Sequence, residues 1–359
     1  MRYSHVIIYA MLLTSMFYGQ EINTVNWIRP NHNNDAPVWG IKGGIVLALW
    51  PAAVENTAKE NIGGPRGLFR MGYERNGQVY LINFIAVEPV VDGKMEFSEI
   101  SPSLVDNKWG KLMWAGADEK MSYYLPLANT RGVISHPVQG DNTIEELTFF
   151  IYMEKFQNGA HPYLKVSLRS DRPDEIGFQI FHHKNSAKME RCALTATMGN
   201  YSRARRLYLK NKVIKSEEIY ADYDDIHFIE KEEYPVSQMM TDEQGNPIVV
   251  IGTNESFDTL SSWPSTLDYQ TRSSWRYRPS FRVTQYWRKG DKYDESLRVR
   301  VNGRSYYWAG GSKSRKDYIA IPGGPAFENF ELREKYYPGQ QFYYGISTGN
   351  ISDILSINP

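Results

Sequence analysis

Three Asn-Gly dipeptides frame how this chain can fold. Asn76-Gly77 lies between the runs 69–75 and 78–85, Asn302-Gly303 lies between 297–301 and 304–308, and Asn158-Gly159 follows the run 147–156. Asn and Gly both tolerate the positive φ that a two-residue type I′ turn demands, so each pair predicts a hairpin. Further strand candidates are 38–50, 163–169, 176–182, 206–209, 248–251, 281–287, 318–321 and 341–346. Several alternate cleanly: Leu164, Val166 and Leu168 face one way, and Lys165, Ser167 and Arg169 the other. Helical periodicity is nearly absent, and the charged stretch 217–233 reads as a solvated loop or a short helix. No motif repeats at the spacing of a propeller. The expected fold is all-β, a large antiparallel β-sandwich with few short helices. It is expected as one domain over 20–359, with a possible subdivision near 217–247.

The start of the chain reads as an export signal. Arg2 and His5 precede an apolar run over 6–17, and Gly19 offers a small residue for cleavage. This run of twelve residues, apolar apart from Thr14 and Ser15, falls short of the roughly 20 that span a bilayer. A cleaved signal peptide over 1–19 is therefore expected, and with it a periplasmic or secreted protein without an integral membrane segment. No cysteine stands near the cleavage point to carry a lipid. With 41 basic and 41 acidic side chains, the chain lacks the positive excess of a nucleic-acid binder. Its 25 Tyr, 15 Phe and 9 Trp exclude disorder, and the single Cys192 excludes a disulfide framework. Cys192 sits in a strand-like run and reads as a small buried hydrophobe.

The C-terminal stretch Pro325-Ala326-Phe327-Glu328-Asn329-Phe330-Glu331-Leu332, with Tyr337-Pro338-Gly339-Gln340 and the run 342–346, resembles the end of galactose-mutarotase-like proteins. The chain also looks similar to exported glycan-utilisation proteins of Bacteroidetes type. The resemblance implies a supersandwich of two large antiparallel sheets whose concave face holds a sugar. It also implies a functional glutamate on a late strand, which falls on Glu328, with Glu331 in reserve. That family's Asn-x-x-x-His and His-Ser-Tyr-Phe segments are not found, which argues against a simple aldose epimerase.

The residues themselves offer several constellations. His182 and His183 are adjacent, so in a strand they point to opposite faces; they cannot share a metal ion directly, but His182 is placed to act as a general acid or base. Arg203, Arg205 and Arg206, flanked by Tyr201 and Tyr208, suit a carboxylate or sulfate. Arg66, in a Gly-rich loop, is an anion contact of the same kind. Trp39, Trp50, Trp109 and Trp114 are candidates to stack on sugar rings. Glu328 and Glu331, three residues apart, should face opposite sides of a regular strand. A glycosidase needs a second carboxylate across the sugar, and Glu88 and Glu175 are the candidates. The match Gly345-Ile346-Ser347-Thr348-Gly349 to a nucleophile elbow has no histidine after it to complete a triad.

The expected function is an exported protein that cleaves a polysaccharide or oligosaccharide, as a lyase or a glycoside hydrolase, with no metal and no cofactor. Its expected catalytic residues are Glu328, His182, Tyr201 and Glu331, and its substrate-binding residues Arg66, Arg203, Arg206, His183 and Trp114. The alternative is a non-catalytic glycan-binding or structural protein.

Overall fold

The computed structural model describes residues 27–32, 35–50, 66–119, 130–139, 142–197, 202–255, 275–276, 283–290, 292–308, 318–347 and 351–355. The segment 1–19 and Tyr201 lie outside these residues, as does the side chain of Trp50. Among the described residues no helix is long and apolar enough to cross a membrane.

The fold is an all-β sandwich of two large sheets. The first sheet runs, in spatial order, Trp27–Ile28, Val38–Ile41, Ile45–Trp50, Leu68–Arg75, Gln78–Val91, Arg191–Ala196, Ala326–Arg333, Arg298–Arg304 and Glu232–Pro235. The second runs Lys212–Lys215, Ala204–Leu209, Pro247–Thr253, Thr284–Lys289, Gln340–Ser347, Glu175–His182, Pro162–Arg169, Glu146–Met153 and Met113–Gly116. Neighbours pair antiparallel, apart from the two-residue strand Trp275–Arg276, which lies parallel against Gln78–Val91. The helices Ser216–Ile219 and Ile351–Leu355 are single turns.

Strand alternation builds the core. Leu164, Val166 and Leu168 are fully buried, while Lys165, Ser167 and Arg169 are half-buried on the other face, as the spacing predicts. Aromatic rings fill the gap between the sheets: Trp39 stacks on Phe149 at 4.3 Å and Phe69 on Phe178 at 6.1 Å. Trp287 of the second sheet donates its Nε1 hydrogen to the Phe330 carbonyl of the first at 3.1 Å. Asn83 donates to Gln285 across the same gap at 2.6 Å, so the polar groups inside are paired. Tyr220, Ile229 and Met239, from the stretch between 217 and 247, belong to this same buried cluster.

Asn76-Gly77 is the tight hairpin its sequence predicts, with φ of 54° and 79°. Gly159, at φ 90°, turns the chain between Glu146–Met153 and Pro162–Arg169. Asn302-Gly303 is not a turn: both residues lie inside the strand Arg298–Arg304. Gly303 is needed there for space, because a Cβ would come within 2.9 Å of the Tyr220 ring and of the Ala326 carbonyl. The run 38–50 is two strands, broken at Gly43, where φ is 74°. The stretch 217–233 supplies one helical turn and then an edge strand of the first sheet.

Candidate active site

The face of the first sheet that points away from the core carries a sheltered layer of charge. Val87, Leu194, Phe330, Val299 and Val301 point into the core. Alternation therefore turns Glu88, Thr195, Glu331 and Arg300 to the other face, where all four are nonetheless buried. Arg333 binds both acids: its Nη2 donates to Glu88 at 2.6 Å and its Nε to Glu331. Arg300 Nη1 donates to Glu331 at 3.1 Å and lies 3.8 Å from Glu88. Since both carboxylates reach one guanidinium nitrogen, their nearest oxygens are at most about 7 Å apart. Burial pushes Glu88 up to about 7, against the pull of Thr195 and Arg300. Burial and then the charge of Glu88 push Glu331 up, again against Arg300. The charges of Arg300 and Lys231 oppose burial at both acids.

Glu328 joins this layer through a bulge. Val301 pairs with Phe330 and Gly303 with Phe327, so Glu328 and Asn329 together oppose the single residue Asn302. Asn302 fills the gap by accepting the Asn329 backbone N–H at 3.1 Å. The extra residue lets Phe327 and Phe330, three apart, both enter the core. It follows that Glu328 and Glu331 share the outer face. This corrects the expectation from spacing, which assumed a regular strand. Glu328 is 3% exposed, and its Oε2 is buried without a hydrogen-bond partner. Burial pushes its carboxyl up to about 7, with the Arg304 charge pulling down. Arg304 is itself under-satisfied at Nε and lies over the Phe228 ring at 4.0 Å. Glu99 adds a fourth acid. The residue is only partly buried, but its Oε2 is enclosed without a partner. Burial and then the Glu88 charge raise it to about 8. Among the described residues no three His, Cys, Asp or Glu side chains group to hold a metal ion.

A cavity of about 230 Å³ opens at the end of this layer, lined by Glu190, Arg191, Glu233, Ser296, Arg298, Arg333, Glu334 and Lys335. Arg333 belongs to both, so the cavity abuts the Glu88–Glu331 pair.

The other candidate residues lie elsewhere. His182 is exposed at the end of Glu175–His182 in the second sheet, its Nδ1 2.8 Å from the Tyr336 hydroxyl. Tyr336 follows the far end of Ala326–Arg333, whereas Glu328 is near its start. The five residue steps from Glu328 to Arg333 span about 17 Å of strand, so His182 does not converge on Glu328. His183 belongs to an aromatic ladder on the outer face of the second sheet. It lies 4.9 Å from Tyr163 and 4.1 Å from His161, and Tyr163 continues to Phe181 at 5.5 Å. Burial, then His161 and His182, lower His183 to about 4. Trp114 is buried at the inner end of this ladder, stacked on Tyr152 at 6.2 Å. Trp39 is core, and Trp109 is 67% exposed.

The arginines of the sequence reading hold loops. Arg66 forms a bidentate pair with Asp106 at 2.7 and 2.9 Å and donates to the Gly110 carbonyl. Arg203 and Arg205 both bind Glu255, and Arg206 binds Glu217 at 2.7 Å. Cys192 is buried, which raises its thiol well above the usual range. The sequence reading missed Arg300, Arg304, Arg333 and Glu99. A signal existed for two of these: Arg298-x-Arg300 and Glu331-x-Arg333 place like-facing charges at period two in neighbouring strands.

No family model and no curated protein matches the chain. A solved structure described as "Crystal Structure Analysis of HI1317" is similar at 10% identity, over 78% of this chain and 92% of that one. Its TM-score of 0.23 is too low to carry an argument about fold or activity.

Proposed function

We propose that this is an exported carbohydrate-active enzyme that hydrolyses a polysaccharide or oligosaccharide, with Glu328 as its general acid. One observation carries the reading: a buried glutamate on a bulge, with an unpartnered oxygen, held near neutrality by its surroundings. Such a carboxyl still holds a proton in about half of the molecules at neutral pH and can deliver it to a leaving oxygen. Bulges re-aim side chains next to active sites, and buried orphaned polar atoms call for a functional account. In the proposed reaction Glu328 protonates the glycosidic oxygen as the C–O bond breaks. The attacking water bonds to the anomeric carbon and gives its proton to a carboxylate of the Glu88–Glu331 pair, which then releases it to solvent, while Glu328 is reprotonated from solvent. Arg203 and Arg206 are already held by Glu255 and Glu217; hydrolysis is favoured because the raised carboxyl of Glu328 suits a proton donor to a leaving oxygen. The sugar substrate class is supported by the C-terminal resemblance and the export signal.

A second reading, glycan binding without cleavage, is favoured by one feature: the half-buried ladder of Tyr163, Phe181 and His183, whose flat faces suit sugar rings. Product mass separates the readings. The protein is incubated with neutral, uronate-containing and sulfated polysaccharides. Hydrolysis predicts fragments carrying an added water, lost in Glu328→Gln. Unsaturated fragments would mean a lyase, and wild-type activity in Glu328→Gln would remove Glu328 from the reaction.

A further inference from the structure

We propose that the 230 Å³ cavity is an anion subsite that takes the carboxylate or sulfate of an acidic sugar. This rests on the reading of the protein as carbohydrate-active and names the class of sugar. Four cations and three acids line the cavity, and the acids are already engaged. Glu334 holds the buried Lys289 at 2.8 Å, Glu190 accepts the Gly93 N–H at 3.0 Å, and Glu233 lies 4.0 Å from Arg300. Two of the cations are engaged as well. Arg333 binds Glu88 and Glu331, and Arg298 donates to the backbone carbonyls of Glu295 and Leu297.

Arg191 and Lys335 differ. Both are exposed at the rim; Arg191 forms no ion pair with a described residue, and Lys335 lies within the field of the Asp294 carboxylate without a direct contact. The cavity therefore presents the unpaired Arg191 at its mouth, Lys335 beside it in the field of Asp294, and a charged guanidinium at its back. A neutral sugar has no use for that surplus. A carboxylate or sulfate does, since Arg offers it two parallel N–H donors and Lys a mobile point charge. Because Arg333 is shared, an anion seated there abuts the Glu88–Glu331 pair, which places an acidic residue of the glycan beside the sheltered acids.

The test is calorimetric titration of the full-length protein with trigalacturonate, its fully methyl-esterified form and a sulfated galactose trisaccharide. The ester keeps size and shape and removes only the charge. The acid or the sulfated sugar should bind at least about tenfold more tightly than the ester, and an Arg191→Ala/Lys335→Ala double variant should erase that preference. Arg191→Lys should retain part of it. Whichever acidic probe wins identifies the group the subsite prefers. Equal binding of acid and ester, a preference that survives in the double variant, or no binding of either acidic probe would overturn the proposal. The two readings fail separately. Cleavage lost in Glu328→Gln without any acid preference removes the subsite alone, and acid preference without cleavage of any glycan removes the hydrolase alone.

Discussion

Glu175, on the outer face of the second sheet, is 4% exposed, and Glu328, on the outer face of the first, is 3% exposed. Their surroundings are opposite. Glu175 accepts two hydrogen bonds from Arg288, at 3.1 and 2.6 Å, one from Arg172 at 3.2 Å and one from the Tyr286 hydroxyl at 3.1 Å. The Tyr343 ring closes over the Arg288 guanidinium at 4.2 Å. Glu328 leaves Oε2 without a partner, and Arg304 is the charge that opposes its burial. Equal burial thus gives one acid locked into structure and another left free to hold a proton. The difference lies in backbone geometry. Glu175 opens a regular strand whose neighbours align donors on it, whereas Glu328 sits on a bulge that displaces it from the ladder.

The largest effect expected from breaking this contrast is catalytic. Glu328→Gln should lower kcat/KM on the cleaved glycan by about 10²–10⁴-fold, read by reducing-end release. Its circular dichroism should match wild type. The same rate should fall in wild type as pH rises through about 7, as the acid loses its proton.

Next comes stability at the locked acid. Arg288→Ala strips Glu175 of its main partner and should cost about 3–5 kcal/mol in urea unfolding. Glu328→Gln should stay within about 1 kcal/mol of wild type at pH 5. An equal loss in both variants would erase the contrast.

The third effect has a definite sign. The Glu328 carboxyl is raised on folding, so the folded state binds its proton more tightly than the unfolded chain does. The stability this gives is full below about 4.5 and is lost as pH rises through about 7. The difference in unfolding free energy between Glu328→Gln and wild type should therefore shift by about 3 kcal/mol in favour of the variant over that window. Taking the difference cancels the similar contributions of Glu88 and Glu99.

The smallest effect is at His182. Its exposed ring, tied only to Tyr336, predicts that His182→Ala changes stability by no more than about 0.5 kcal/mol and leaves cleavage intact. A large loss of activity would bring back histidine chemistry at the far end of the strand.

Much of the architecture was legible because it follows from period-two burial. The segments 163–169, 176–182 and 341–346 appear as strands within a residue or two. Asn302-Gly303 misled because the dipeptide signals a turn only when nothing else demands a glycine, and here the Tyr220 ring does. Glu328 is singled out in the sequence by the C-terminal resemblance, and its burial becomes visible only in the fold. Its face was not legible, because a bulge is set by which two phenylalanines the core accepts, and alternation cannot register that. The arginines 203, 205 and 206 look like an anion site in sequence. Their partners Glu217 and Glu255 lie 11 and about 50 residues away, a pairing that only the fold reveals. The charge layer of Glu88, Glu331, Arg300 and Arg333 draws on three separated strands, and so it too emerges only in three dimensions.

The most direct test of the account is the titration of the Glu328 carboxyl itself. Carbon-13 NMR of protein labelled at glutamate side-chain carboxyls, compared with Glu328→Gln, isolates its signal. A midpoint near 7 is predicted, with the group still largely protonated at pH 6. A midpoint near the ordinary 4.5 would contradict the account, because a carboxylate already ionised at neutral pH could not serve as the proton donor.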